Sequence, residues 1–443
     1  MLERLFGLKA HGTDVRTELL AGVTTFMTMA YIVVVNPTIL GETGMPVAAV
    51  AAATCLAAGF GSILMGLVAN YPLALAPGMG LNAYFTYTVV KGMGVPWETA
   101  LGCVFLSGVA FLILTLVGVR QMIVAAIPKP LFSAVAAGVG LFIAFIGLKE
   151  AGIIVASPAT TVALGDLTTP TAAVAILGLV LIAVLQAWRV KGAILIGILL
   201  AGAAGWALGL AKIAPGTSSL SDLTATAFKL DVTGAFHLKG GPNGAGWALA
   251  MLEIVFVFLF VDLFDNVGTL VAVTKKAGLQ APDGSIPRLN RILLADSAAT
   301  MVGAVAGTST VTSYIESAAG VTAGGRTGLT AVVVGLLFLV TLFFAPLVQA
   351  IPAAATAPAL ILVGALMVGA LVDVDWADPT VAIPAFLTLI TIPLTFSIAN
   401  GLAFGITSYA VLRLLTGKIG KGDWLLLILA ALFVVRFVYL AKG

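Results

Sequence analysis

Apolar runs long enough to cross a bilayer recur from about residue 18 to the C-terminus, separated by short polar breaks. A spanning helix needs about 20 predominantly apolar residues. The runs predict helices over 18–36, 46–70, 78–91, 97–118, 128–147, 171–188, 192–211, 247–274, 288–306, 315–323, 327–350, 357–372, 380–416 (interrupted) and 423–440. That is about fourteen elements, of which the third and tenth are short. A long polar connection over about 212–245, with Lys212, Asp222, Lys229, Asp231, His237 and Lys239, leaves seven elements on each side. The predicted class is an all-α polytopic membrane protein.

Two segments depart from the spanning-helix pattern. In Tyr71–Phe85, Pro72 and Pro77 remove backbone donors while Gly78 and Gly80 loosen the chain, which predicts an extended stretch and then a half-helix from about Met79–Asn82. In Ala306–Gly320 the Thr/Ser/Val run favours extended backbone, with a helix starting near Tyr314–Glu316. They occupy matching places in the two sets of seven. Interrupted segments at corresponding positions point to the binding site of a transporter built on an inverted repeat. Non-helical backbone at membrane depth persists only when buried in protein or lining a cavity.

Composition agrees. Of 443 residues 60% are hydrophobic and 9% charged, against roughly 25% charged in soluble domains, and the mean hydropathy is +1.15. The net charge of +3 is scattered through short loops and indicates no nucleic-acid partner. Met1–Glu18 carries Glu3, Arg4, Lys9, Asp14 and Arg16 and lacks the apolar centre of a cleavable signal peptide, so the first hydrophobic run reads as a retained signal-anchor. Lys and Arg gather at Arg4/Lys9/Arg16, Arg120/Lys129, Arg189/Lys191, Lys275/Lys276/Arg288/Arg291 and Arg326. The positive-inside rule then places the N-terminus in the cytoplasm of a plasma-membrane protein. Arg413, Lys418 and Lys421 fit only with an even number of crossings after Asp378; either the break at 397–401 supplies one, or 380–397 lies along the interface. Cys55 and Cys103 read as small buried hydrophobes, and His11 and His237 fall in loops. No metal site or cofactor is indicated.

The candidate chemistry lies in carboxylates held in apolar surroundings, each costing about 2.5–3.5 kcal/mol on insertion scales at a bilayer centre. Asp262 and Asp265 sit in the apolar run 247–273, with Thr269 four residues beyond Asp265 on one wall. Asp262 has the stronger claim to a structural helix–helix hydrogen bond, and Glu253 to an interfacial place. Glu316 falls at the start of the second half-helix, where free N–H groups stabilise an acid, and Asn82 sits in the first. Phe85, Tyr84, Phe264 and Tyr314 are placed to form a stacking wall for a flat ligand. Asp296 is either a packing partner or a second proton-linked acid. There is no His-Glu-x-x-His, Gly-x-Ser-x-Gly or Walker A motif, and Gly165-Asp166 lacks the preceding glycine of an aspartyl intramembrane protease. No enzyme is indicated, and accumulation is expected to draw on an ion gradient.

Four blocks carry a family resemblance: Glu18–Tyr31 with Asn36-Pro37, Pro77–Phe85, Val261–Thr269 and Gly307–Gly320. Together they make the chain similar, from Arg4 to the last helix, to the AzgA-like purine permeases of the second nucleobase–cation symporter family. The resemblance implies fourteen helices in two inverted repeats of seven. It implies a core of helices 1–4 and 8–11 (1–120, 246–326 and 327–355) rocking against a gate of helices 5–7 and 12–14 (121–245 and 356–443). It implies proton-coupled uptake of purine bases, substrate contact at Asp265, Glu316 and Asn82, and association as dimers in some members. Phe85, Phe264, Thr269 and Ser317 complete the candidate substrate site; Asp265, Asp262 and Asp296 are the candidate proton carriers. A uracil-carrying branch has His where Thr269 stands, which leaves coupling here to carboxylates. An anion transporter of the same fold, expected to show a basic residue at the half-helix ends, and a channel are the alternatives.

Overall fold

The computed structural model describes residues 2–117, 128–210, 222–238, 247–281, 285–344, 350–418, 420 and 423–440. Arg120, Lys212, Lys239 and Lys421 therefore lie outside the described residues. Among the described residues nine helices are long and apolar enough to cross a membrane, and four shorter apolar ones accompany them.

The first crossing is α1 (Val15–Met29) followed by α2 (Ile32–Gly41), broken at Ala30–Tyr31. The sequence pattern predicts one helix there, because the break falls inside an uninterrupted apolar run. Next come α3 (Val47–Leu64), β1 (Leu75–Pro77), the half-helix α4 (Met79–Ala83) running on in wider turns to Gly92, and α5 (Trp97–Val117). Then follow α6 (Lys129–Glu150), the hairpin β2 (Ile154–Ser157) and β3 (Thr161–Leu164), α7 (Pro170–Ala187) and α8 (Ala193–Ala207). The second half holds α9 (Trp247–Ala277), α10 (Leu289–Ala306), β4 (Val311–Ser313), the half-helix α11 (Ser317–Thr322) and α12 (Gly328–Thr341). It continues with α13 (Ala353–Val368), α14 (Pro379–Thr395), α15 (Ile398–Leu415) and α16 (Trp424–Leu440).

The two extended stretches pair with each other. β1 and β4 run antiparallel, with Leu75 opposite Ser313, Ala76 opposite Thr312 and Pro77 opposite Val311. The ladder is closed beyond its ends by Gly78 N–H to the Thr310 carbonyl (2.9 Å) and Tyr314 N–H to the Ala74 carbonyl (2.9 Å). A two-stranded patch still leaves two outer edges, and unsatisfied backbone groups at membrane depth cost several kcal/mol each. On the β1 side, Ser62 of α3 accepts from Leu75 N–H (2.9 Å) and donates to its carbonyl (3.1 Å). On the β4 side, Thr300 of α10 accepts from Val311 N–H (3.3 Å) and donates to its carbonyl (2.8 Å). The second helix of each half thus seals one edge by the same device.

The remaining helices pack in two groups. One brings α1, α3, α5, α9, α10 and α12 around the half-helices; the other brings α6, α7, α8, α13, α14 and α15 together. Close packing of membrane helices needs small residues at the contact. Gly140 of α6 and Gly364 of α13 supply them: a Cβ on either would lie within 2.7 Å of the other's carbonyl oxygen. Across the seam, Tyr87 donates to Glu150 (2.7 Å) and Thr88 to the Phe396 carbonyl (2.7 Å). Lys191, just before α8, donates to Thr24 of α1 (3.2 Å). The first group also hides two acids completely, Glu18 and Asp296. Glu18 of α1 accepts from the N–H groups of Arg326, Thr327 and Thr330 and from the Thr330 hydroxyl, capping the start of α12.

The interrupted element expected over 380–416 is two helices, α14 and α15, packed side by side with the chain turning at Phe396 (φ 50°). Pro393 and the left-handed Phe396 end α14, and Ser397 caps α15 through Asn400 N–H. Lys418 then meets Asp378 at 3.0 Å, so the two ends of the hairpin lie together. Hydrogen bonds from the Thr380 hydroxyl and N–H, with Lys418 beside them, hold the Asp378 carboxyl down at about 2. The pair therefore keeps its charge as pH falls until that value is reached. The β2–β3 hairpin was not expected either, because its Val and Thr residues form runs too short to stand out from a loop.

Two outcomes follow from this packing. Thr300→Val and Ser62→Ala each leave a backbone N–H and carbonyl without a partner, and each lowers stability in detergent by roughly 1–3 kcal/mol, whereas Thr300→Ser stays near wild type. Asp378→Cys with Lys418→Cys is cross-linked within one chain by a bifunctional thiol reagent with a spacer of about lysine length; failure to cross-link shows that the hairpin does not return as described.

Candidate functional site

The paired strands fix what surrounds them. Pro77 has no N–H to give, but its carbonyl accepts the Tyr314 phenol (2.5 Å). Ser317, the first residue of α11, accepts Ala74 N–H at its hydroxyl (3.0 Å), so this candidate substrate ligand is engaged in closing the ladder. Asn82, wholly buried in α4, accepts from the Ser309 hydroxyl at its Oδ1, and its Nδ2 has no hydrogen-bond partner among the described residues. Behind it, Asn36 of α2 donates to Thr54 (2.7 Å) and Thr308 (2.9 Å).

The two carboxylates meet at this patch. Glu316 directly precedes α11 but does not cap it; its Oε1 accepts the Tyr31 phenol at 2.6 Å. Asp265, at the middle of α9, is half-buried and accepts no hydrogen bond among the described residues. A Cβ on Gly78 would lie 3.0 Å from the Thr312 methyl and 3.7 Å from Asp265 Oδ2, so the Asp265 carboxylate faces the junction of β1 and α4. Asp265 lies close enough to Glu316 to feel its charge, and Tyr31 and Tyr314 lie near both acids. The cluster of Asp265, Glu316, Tyr31 and Tyr314 thus joins α9, the break between α1 and α2, and the segment between β4 and α11.

The other candidates distribute around it. Phe264 lies in a ladder of rings along α9, 4.8 Å from Phe260 and 4.2 Å from Phe132 of α6, where the two helix groups meet. Phe85 is wholly buried, its ring against Phe258. Thr269 is buried one turn beyond Asp265; Asp262 is buried three residues before it. Asp296 is buried in α10, one turn before the Thr300 that seals β4. Asn266 is also buried, and neither side-chain amide atom has a partner among the described residues.

Tyr31 is the site residue that the pattern does not single out. Its one signal is a phenol in the middle of an apolar run, because a buried tyrosine hydroxyl usually finds a partner. The position of that partner, 285 residues away, is set by tertiary structure alone.

A broken-helix pair zipped at the centre, with two acids beside it, defines a membrane transporter architecture. The transmembrane domain of the cyanobacterial bicarbonate transporter BicA has the same fold, with TM-score 0.61 at 17% identity over 94% of this chain and 97% of that one. So does the murine Slc26a9 anion transporter, with TM-score 0.64 at 13% identity over 91% and 69%. The profile described as Permease family (Xan_ur_permease) matches residues 16–435, and the chain belongs to that family. It is a permease and not an enzyme, in line with the AzgA-like resemblance. It is 51% identical to the putative permease MJ0326 of Methanocaldococcus jannaschii over 99% of both chains. It is 45% identical to the adenine permease AdeP of Escherichia coli over 99% of this chain and 96% of that one. The guanine/hypoxanthine permease PbuO of Bacillus subtilis is 42% identical over 98% and 100%.

The half-helix fits tightly under its neighbour: a Cβ on Gly80 of α4 would come 2.4 Å from Val139 Cγ1 of α6. Gly80→Ala is expected to lower the thermal midpoint, at a cost of about 1–3 kcal/mol for overpacking, and Gly80→Ala with Val139→Ala to recover it.

Proposed function

We propose that this protein is a secondary active transporter that carries neutral purine bases with a proton by alternating access. The observation that carries the reading is Asp265: a carboxylate at the middle of a membrane helix, open on one side, with no protein donor among the described residues, beside Glu316. The phenol protons of Tyr31 and Tyr314 go to protein oxygens, so the cluster offers acceptors to a ligand. A purine base brings several N–H donors, and each charged hydrogen bond contributes about 1.5–3 kcal/mol. The names of AdeP and PbuO support the same ligand class.

Asp265 and Glu316 hold the base, with Asn82, Phe264 and Thr269 at its margins. A carboxylate that binds a ligand N–H and also exchanges a proton ties the two movements together. Thr269 does not titrate, which leaves the proton to Asp265, with Asp262 and Asp296 as further carriers. The helix group containing α9 and the half-helices is the core, and the group containing α6 and α13 is the gate. The thin seam between them supports rocking of one against the other. The seven-by-seven arrangement is supported by Ser62 and Thr300, which act alike at matching places. The Lys/Arg distribution supports a cytoplasmic N-terminus. The anion-transporter alternative draws on the fold shared with BicA and Slc26a9, but two carboxylates in the cluster repel an anion.

Uptake of labelled adenine or hypoxanthine into proteoliposomes tests the reading. Wild-type protein accumulates label under an inward proton gradient and loses it with an uncoupler. Asp265→Asn and Glu316→Gln each reduce uptake about 10–100-fold. Accumulation of bicarbonate or chloride in place of purine overturns the assignment. An Asp265→Asn rate equal to wild type at every pH removes the proton role.

A further inference from the structure

We propose that Tyr31 sets the purine selectivity of this site by occupying one oxygen of Glu316. The inference rests on the purine reading above and deepens it. Tyr31 is 1% exposed and stands at the only residue pair where the first crossing is broken among its described residues. Its carbonyl accepts from the N–H groups of Val34 and Val35, both at 3.0 Å, which anchors the residue to the start of α2. Its phenol meets Glu316 Oε1 at 2.6 Å, a charge-assisted length. That hydrogen bond restrains the Glu316 carboxylate and fills one acceptor position of Oε1, and Oε2 is left with no protein donor among the described residues.

That difference between the two oxygens changes which bases fit. A free carboxylate takes two adjacent N–H donors, one on each oxygen, as it does with a guanidinium fork. The ring N–H and 2-amino group of guanine form such an adjacent pair. With Oε1 already accepting the Tyr31 phenol, Oε2 is the stronger acceptor for a ligand N–H, and the second ligand donor is directed to Asp265. Bases whose donors lie on different edges, as in hypoxanthine and adenine, meet that requirement. The 2-amino group of guanine meets only the weaker acceptor at Glu316. Tyr31 is thus a positioning residue that acts through Glu316.

Competition against labelled hypoxanthine, or binding to purified protein by calorimetry, reads this directly as the guanine-to-hypoxanthine affinity ratio. The ratio does not depend on how much of a preparation is active. In wild type the added 2-amino group improves affinity less than about twofold. Tyr31→Phe frees Oε1 and moves the ratio toward guanine by about tenfold, one additional charged hydrogen bond. A wild-type ratio already tenfold in favour of guanine overturns the inference even if Tyr31→Phe does not fold. So does a Tyr31→Phe protein in which every base changes by the same factor. Wild-type protein that binds no purine overturns the functional reading itself, a result distinct from an unchanged ratio.

Discussion

The backbone of two broken helices has nowhere to hide in hydrocarbon, and the centre of this protein is the solution to that problem. Leu75–Pro77 and Val311–Ser313 satisfy each other, and the hydroxyls of Ser62 and Thr300 seal their outer edges. Once that patch is closed, the rest of the site has fixed positions. Gly78 leaves room for Asp265, the Pro77 carbonyl takes the Tyr314 proton, and Glu316 follows two residues after Tyr314. An ordinary helix would have used these peptide groups internally and left no reason for side chains from four segments to converge.

Two acids show opposite ways of placing a carboxylate inside this fold. Glu18 receives four donors from the start of α12 and is shut away from solvent, so its charge is spent on holding α1 to α12. Asp265 receives none among the described residues and remains half-open. The desolvation cost of an intramembrane carboxylate must be offset by something. For Glu18 the offset is visible in the fold; for Asp265 the described residues supply none, and in the proposed mechanism a ligand or a proton supplies it. Glu316 lies between these cases, with one oxygen held by Tyr31.

Much of this was legible in the chain. The hydrophobic runs marked most of the helices because the bilayer demands a minimum apolar length. The Pro/Gly and Thr/Ser segments marked the two breaks because neither can hold a regular helix ladder. What was not legible is whatever depends on partners far away in sequence. The break at Ala30–Tyr31 has no local breaker; α14 and α15 read as one element because a two-residue turn barely interrupts the apolar pattern. Ser317 stood in the sequence as a candidate substrate contact, and nothing there showed that its oxygen also accepts Ala74 N–H. Glu316 looked like a helix-capping acid, and turns instead to a phenol on the first crossing.

The likeness to BicA and Slc26a9 shows how little of ligand choice resides in the architecture. Paired half-helices present their positive ends to the membrane centre, an arrangement that by itself suits an anion. Here that field is met by Glu316 at the head of α11 and by Asp265 across from it, while the nearby phenols direct their protons into the protein. The two acids thereby add strong acceptors to a centre where Asn82 Nδ2 remains a donor. An acceptor-lined site excludes small anions and retains molecules that carry their own N–H groups. In the proposed mechanism the same two carboxylates also exchange the proton, so the residues that select the ligand are also those through which its transport is driven.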